Sequence, residues 1–238
     1  MFDFFGVKYI GPRIEACVLS FNKHLTKLYA KEVGVQTVDY QVISPNKNTN
    51  IENFPIILKP CRLGSSIGVS VVENPDELEY AKDVAFEFDN EVLAEPFIEG
   101  VREFNLAGTK INGQFHFSNI EEVSKAKFLD FEKKYLDFNR SEKKRLDIVE
   151  NELETKLTTA FEKIYNTIFE GSLIRCDFFV INDEVFLNEI NPIPGSMGNY
   201  LFDNFNEIIT KLGANLPKTK KIQIDYAYVN KIQSAKGK

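Results

Sequence analysis

The chain is 238 residues long and carries 29 lysines and arginines against 35 acids, a net charge of −6. An acidic balance excludes nucleic acid as the main partner, because a phosphate backbone selects a basic face. With 43% hydrophobic and 27% charged residues the composition is that of a folded globular protein.

Taken in chain order, Pro12 to Gly34 reads as helix, with apolar residues at Ile14, Val18, Leu19, Phe21, Leu25, Leu28 and Tyr29 and with Asn22 placed to cap a second helix. Three strand-like runs follow, Thr37–Ile43, Pro55–Lys59 and Gly68–Val72, the first two separated by the Asn-, Lys- and Pro-rich loop 44–53. Pro75 opens a helix to about Phe88, and Glu91–Ile98 reads as strand. Glu103–Lys110 and Gln114–Ile120 flank Asn112-Gly113, a strong hairpin signal. From Glu121 to Lys156 charges of both signs are dense and aromatics sit singly, a pattern that suits either a solvated loop or a mobile lid. Leu153–Phe169 is an amphipathic helix, Ser172–Ile181 and Glu184–Ile190 are strands, and Tyr200–Leu212 reads as helix. Strand pairs separated by helices imply an α+β fold with mostly antiparallel sheets. The apolar runs are too short for a transmembrane helix, and residues 1–6 lack the basic and apolar regions of a signal peptide, so the expected location is cytoplasmic with no membrane partner.

The three cysteines, Cys17, Cys61 and Cys176, are far apart and form no C-x-x-C pair, which indicates neither a disulfide framework nor a zinc site. With only His24 and His116 available, a three-His metal site is excluded, and any metal should be a hard cation held by oxygen.

Four constellations carry chemistry. Lys59 precedes the loop Gly64-Ser65-Ser66-Ile67-Gly68, which is either a hairpin turn or a backbone cradle for phosphate. Arg175-x-Asp177 and Glu189-x-Asn191 place pairs two apart on adjacent strands, each pair on one face. Three oxygen ligands and a cation there suit Mg²⁺ bound with phosphates, or else a structural salt bridge. Glu95-Pro96-Phe97-Ile98, with Glu103 beyond it, is either a solvated strand end or a stretch that holds a purine and a ribose. Asn191-Pro192-Ile193-Pro194-Gly195 is a rigid turn whose N–H groups could stabilise an oxyanion.

One geometric expectation concerns the two strands carrying Asp177 and Glu189. A two-residue loop, Asn182-Asp183, would set Asp177 opposite Asn188 and send Glu189 to the other face. A three-residue loop, Asn182-Asp183-Glu184, sets Asp177 opposite Glu189 and Arg175 opposite Asn191. It also puts Phe179 and Leu187 on the ligand face and Ile174, Cys176, Phe178, Asn188 and Ile190 on the other. A shared metal site therefore predicts the three-residue loop.

Together with Tyr9-Ile10-Gly11-Pro12 and Ser20-Phe21-Asn22-Lys23, these motifs in this order resemble D-alanine–D-alanine ligase, an ATP-grasp family, over essentially the whole chain. The resemblance implies an ATP-grasp fold of two lobes with ATP between them. Residues 1–22 would be a linking helical segment packing on the C-terminal lobe. Residues 23–98 would form the central lobe, and 99–238 the C-terminal lobe with a flexible lid at 121–145. It implies ligation of two D-alanines through an acyl phosphate, for peptidoglycan precursors, with two Mg²⁺ ions (or Mn²⁺) and a homodimer as the assembly. Lys23 and Lys59 would touch the nucleotide phosphates, Gly64, Ser65 and Ser66 would cover them, with Ser65 also catalytic, Glu95, Phe97 and Ile98 would hold adenine, and Glu103 the ribose. Asp177, Glu189 and Asn191 would ligate metal, Arg175 and the Gly195 amide would stabilise the transition state, and Lys134-Tyr135 would belong to the lid. Two departures accompany the match. The family's N-terminal domain, with its Gly-Gly loop and His-Glu pair, has no counterpart before Tyr9, so the chain by itself is expected to bind nucleotide without making dipeptide. And Tyr200-Leu201 stands where the family commonly has a Ser-Leu pair gripping the second substrate. The rival readings are a nucleotide-binding remnant without turnover and a ligase using a second substrate such as D-lactate.

Overall fold

The computed structural model describes residues 1–45, 47, 49–123, 150–217 and 226–237. Its helices are α1 (Phe2–Phe5), α2 (Ile14–Phe21), α3 (Lys23–Glu32), α4 (Leu78–Phe86), α5 (Asn151–Ile164), α6 (Phe205–Ala214) and α7 (Ala227–Lys236). One antiparallel sheet is built from β1 (Gln41–Ile43), β2 (Ile56–Pro60), β3 (Ser70–Val72) and β4 (Val92–Pro96), in the spatial order β1-β4-β2-β3. The second contains β5 (Arg102–Ile111), β6 (Gln114–Phe117), β7 (Glu121–Val123), β8 (Ile174–Ile181) and β9 (Glu184–Asn191), in the order β6-β5-β8-β9, with β7 also paired to β5.

Each sheet has one face buried under helices. In the first, Ile56, Leu58, Val72 and Ala94 pack with Ala81 and Ala85 of α4. In the second, Phe104, Leu106, Cys176, Phe178 and Leu187 pack beneath Ala16 of α2, Ala30 of α3 and Leu157, Phe161 and Ile164 of α5. Strand alternation then leaves the opposite faces to carry polar side chains. The segment Pro12–Gly34 is two helices, because the Asn22 side chain accepts from the N–H groups of His24 at 2.9 Å and Leu25 at 3.2 Å. Helix α3, which the sequence groups with residues 23–98, packs in the larger core, where the Tyr29 hydroxyl donates to the Ile164 carbonyl at 2.7 Å.

The expected strand Thr37–Ile43 is confined to Gln41–Ile43. Its approach crosses to the other sheet: Gln36 bridges Phe186, and its carbonyl accepts from the Leu187 N–H at 2.8 Å. The expected helix Tyr200–Leu212 begins only at Phe205. Before it, Gly195–Leu201 forms tight turns in which Ser196, Met197 and Gly198 hold φ of 51°, 52° and 66°, a left-handed path no α-helix follows.

The β8–β9 hairpin corrects the loop expectation and keeps its main consequence. The turn is the two-residue one, with Asn182 and Asp183 at φ 51° and 63°, and Ile181 pairs with Glu184. Phe178 therefore opposes Leu187, yet Asp177 opposes Glu189 and Arg175 opposes Asn191, because a β-bulge absorbs Asn188. Leu187 lies in the core rather than on the ligand face, and Asn188 faces the ligand side, its Oδ1 3.5 Å from the Lys59 ammonium. The sequence carries this signal: core residues fall at Val185 and Leu187 and then at Ile190, a spacing of two followed by three.

Candidate active site

On β2 and β4, Ile57, Lys59, Leu93 and Glu95 share the face turned away from α4, so alternation aims a lysine and an acid at the second sheet. The Lys59 ammonium lies 2.6 Å from Glu95 Oε2, and Lys27 of α3 lies 2.8 Å from Oε1. Glu95 is 3% exposed. Burial works to raise its carboxyl, but Lys59 and Lys27 outweigh it and hold the group below the ordinary carboxylate range. Val38, Ile57, Pro96, Phe97, Ile98, Val101 and Phe179 wall the pocket above this polar floor, a lining suited to a flat heteroaromatic ring. Of the residues the sequence assigned to adenine, Phe97 and Ile98 line this wall, while the Glu95 carboxylate is engaged by the two lysines.

The Glu95→Gln variant is expected to lose about 3 kcal/mol of stability at neutral pH, the scale for breaking a buried ion pair. A carboxyl depressed in the folded state stabilises above its unfolded pKa, and that contribution fades as pH falls through the folded value. The gap between variant and wild type should therefore close in acid. Urea titrations at neutral and acidic pH check this, and a gap that widens in acid contradicts it.

Lys23, at the start of α3, donates to the carbonyls of Pro60 at 3.2 Å and Leu63, which ties it to the base of the Gly/Ser loop. Gly64, Ser65 and Ser66 are exposed at the loop tip, with the two serines at φ 60° and 59°. The glycine the loop demands is Gly68: its φ is 69°, and a Cβ there would sit 2.7 Å from the Phe88 ring and 2.9 Å from Pro60.

Across the pocket, the outer face of the second sheet carries Glu103, Asn105, Arg175, Asp177, Phe179, Glu189 and Asn191. Arg175 grips Asp177 with two hydrogen bonds of 2.6 and 2.7 Å, and its other terminal nitrogen is 3.3 Å from the Tyr200 hydroxyl. The Asn191 amide reaches Asp177 at 3.0 Å and Glu189 at 3.3 Å. Burial, with the charges of Glu189 and Glu103 added, pushes Asp177 up to about 7 despite Arg175. Gly195 opens the turn after this face, and Leu201 turns its side chain into the small core with Ala107, Leu173 and Phe202. The Leu201 carbonyl accepts from the Asn119 N–H at 3.0 Å, so the residue the sequence assigned to the substrate serves the core and a loop contact. Lys134 and Tyr135 lie outside the described residues, as does the part of the expected lid 121–145 that follows Val123.

Among the described residues no three acids, histidines or cysteines form a self-contained metal cage. The donor set is two carboxylates and an amide brought together on one sheet face, with Asp177 buried and Asn191 within 3.0 and 3.3 Å of the two acids. It fits a hard dication whose shell phosphate oxygens complete. Sequence reasoning missed Lys27, Asn188, Asn105 and Glu121, whose Oε2 accepts from the Asn105 amide at 3.0 Å. Lys27 had a signal: it lies one helical turn after Lys23, on the same face.

Two antiparallel sheets facing each other across a lysine-floored pocket, one carrying the acidic face, define an ATP-grasp fold. The family model for the D-ala D-ala ligase C-terminus matches residues 29–218. The chain is 59% identical over its full length to a D-alanine–D-alanine ligase of Wolinella succinogenes and 56% identical to that of Campylobacter lari, spanning 69% of each. It also matches a crystal structure of the ligase from Helicobacter pylori with a TM-score of 0.78 and 49% identity, over 92% of this chain and 65% of that one. A ligase from Bacillus anthracis complexed with ATP, 20% identical with a TM-score of 0.70, shares the fold. The chain belongs to the D-alanine–D-alanine ligase family.

Proposed function

We propose that this chain is the nucleotide- and metal-binding part of an ATP-dependent ligase that joins two D-alanines through an acyl phosphate, for peptidoglycan precursors. The observation that carries the reading is Lys59: buried on the first sheet beside Glu95, it reaches Asn188 on the second, so one cation stands where both sheets face the pocket. In this reading Phe97 and Ile98 pack on adenine, Glu103 takes the ribose, and Lys23 and Lys59 hold the phosphates beneath the Gly64–Ser66 loop. Asp177, Glu189 and Asn191 hold two Mg²⁺ ions, for which Mn²⁺ can substitute. Bound metal neutralises charge on the transferred phosphoryl group. Arg175, fixed by Asp177, offers its remaining guanidinium edge to the tetrahedral centre together with the Gly195 N–H. Tyr200, held by Arg175, takes the second substrate's carboxylate.

The same reading places the protein in the cytoplasm; no helix among the described residues is long and apolar enough to cross a membrane. The exposed apolar row Ile14, Val18, Phe21 and Leu25 on α2 and α3 supports a homodimer.

The test is phosphate release from ATP and Mg²⁺ with and without D-alanine, with the product identified by mass. For this chain alone, ATP–Mg²⁺ binding with dipeptide synthesis absent or very weak is the expected result, and robust D-alanyl-D-alanine production without added protein would overturn that expectation. Preference for D-lactate over D-alanine in the residual release would reassign the second substrate, and no response to either amino acid would favour the nucleotide-binding remnant.

A further inference from the structure

We propose that Lys27 is a positioning residue for the nucleotide phosphates: it occupies one oxygen of the Glu95 carboxylate so that the other oxygen holds the Lys59 ammonium at the pocket. This deepens the nucleotide reading above and rests on it.

The geometry divides one carboxylate between two cations. Lys27 sits 2.8 Å from Oε1 with its side chain 3% exposed, and Lys59 sits 2.6 Å from Oε2 with 10% exposure. Exposure thus rises along the row toward Lys59, which lines the pocket together with Glu95. The Lys27 ammonium also donates to the Val38 carbonyl at 3.0 Å and faces the Tyr40 ring at 5.2 Å. It therefore ties together two walls of the pocket, Val38 and Glu95. Its own helix is mounted in the other lobe's core through Ala30 and Tyr29, which makes the mount rigid.

Without Lys27, both oxygens of a buried carboxylate would have only Lys59 to compensate them. The ammonium would be drawn inward between them, away from Asn188 and from an incoming phosphate oxygen. With Lys27 in place the three side chains sum to one positive charge, and Lys59 carries it at the pocket edge. Lys27 acts through Lys59, so its effect should be confined to ligands that bear phosphates.

The experiment is calorimetric titration of the full chain with ATP–Mg²⁺ and, separately, with adenosine. Lys27→Met is expected to weaken ATP–Mg²⁺ about tenfold, the scale for removing a residue that orients a ligand-binding group. Adenosine affinity is expected to stay unchanged, and Lys27→Arg is expected to recover part of the ATP loss. Wild-type ATP affinity in folded Lys27→Met overturns the proposal. So does an equal loss for adenosine, which would mean that the whole pocket had collapsed. If Lys27→Met does not fold, Lys27→Gln carries the test, since its amide can still donate to the Val38 carbonyl. The same loss of ATP affinity is expected there, and unchanged affinity overturns the idea. Failure of both variants to fold would assign Lys27 to the core alone and overturn it too. A wild-type protein that binds no ATP–Mg²⁺ overturns the nucleotide reading itself, which separates the two failures.

Discussion

ATP with Mg²⁺ is expected to stabilise the protein by about 2.7 kcal/mol at roughly a hundred times Kd, and Lys59→Ala is expected to abolish that gain. For a chain of this size each kcal/mol moves the Tm by about 2–4 °C, so the wild-type shift should be roughly 5–10 °C. Lys59 is the residue chosen because it faces both sheets, 2.6 Å from Glu95 and 3.5 Å from Asn188. Its ammonium has three N–H groups, and two of them meet these partners, which leaves the third for a phosphate oxygen. The variant also loses stability in the absence of ligand, since Glu95 keeps only Lys27. The diagnostic quantity is therefore the ligand-dependent shift and not the Tm itself. Thermal melts with and without ATP–Mg²⁺ check it, and equal shifts for the two proteins would remove Lys59 from the phosphate site.

The second large effect belongs to Arg175. Asp177 is 3% exposed, and Arg175 spans it with hydrogen bonds of 2.6 and 2.7 Å. Arg175→Met leaves that acid facing Glu189 and Glu103 without its cation, and the expected loss is about 3–5 kcal/mol. Set against the 5–15 kcal/mol that is roughly typical of native domains, this is a large fraction of the total. Arg175→Lys should fall between the two, because an ammonium is a point charge and cannot bridge both oxygens in the planar fork geometry. Urea unfolding with a common slope measures the differences. A Met variant as stable as wild type would show that the acid does not depend on Arg175 for its burial.

Much of the local structure was legible in the residues. Asn22 splits the first helical segment because its side chain satisfies the leading N–H groups of α3. Asn112-Gly113 makes its turn because both residues take positive φ, at 50° and 84°. Asp177 and Glu189 stand opposite each other as a shared site on one strand face implies, but across a two-residue loop rather than a three-residue one. The expected metal site asked for the pairing, Asn-Asp preferred the two-residue turn, and the bulge at Asn188 accommodates both. The break in apolar spacing between Leu187 and Ile190 was the available sign.

Other features depend on residues far apart in the chain. Lys27, Lys59 and Glu95 belong to three elements, and nothing local to any one of them announces that a single carboxylate serves two lysines. Leu201 turns into a core formed with Ala107, Leu173 and Phe202, although its motif suggests a substrate contact. Gln36 pairs with β9 although it adjoins a run that reads as a strand of the other sheet. Sequence by itself determined the elements, the turn chemistry and which side chains share a strand face, because these follow from periods of two and 3.6 and from backbone preferences. Only the tertiary structure decided which faces meet, where the extra residue of β9 is absorbed and which charges share a partner, because burial energies act between surfaces that the chain brings together only when it folds.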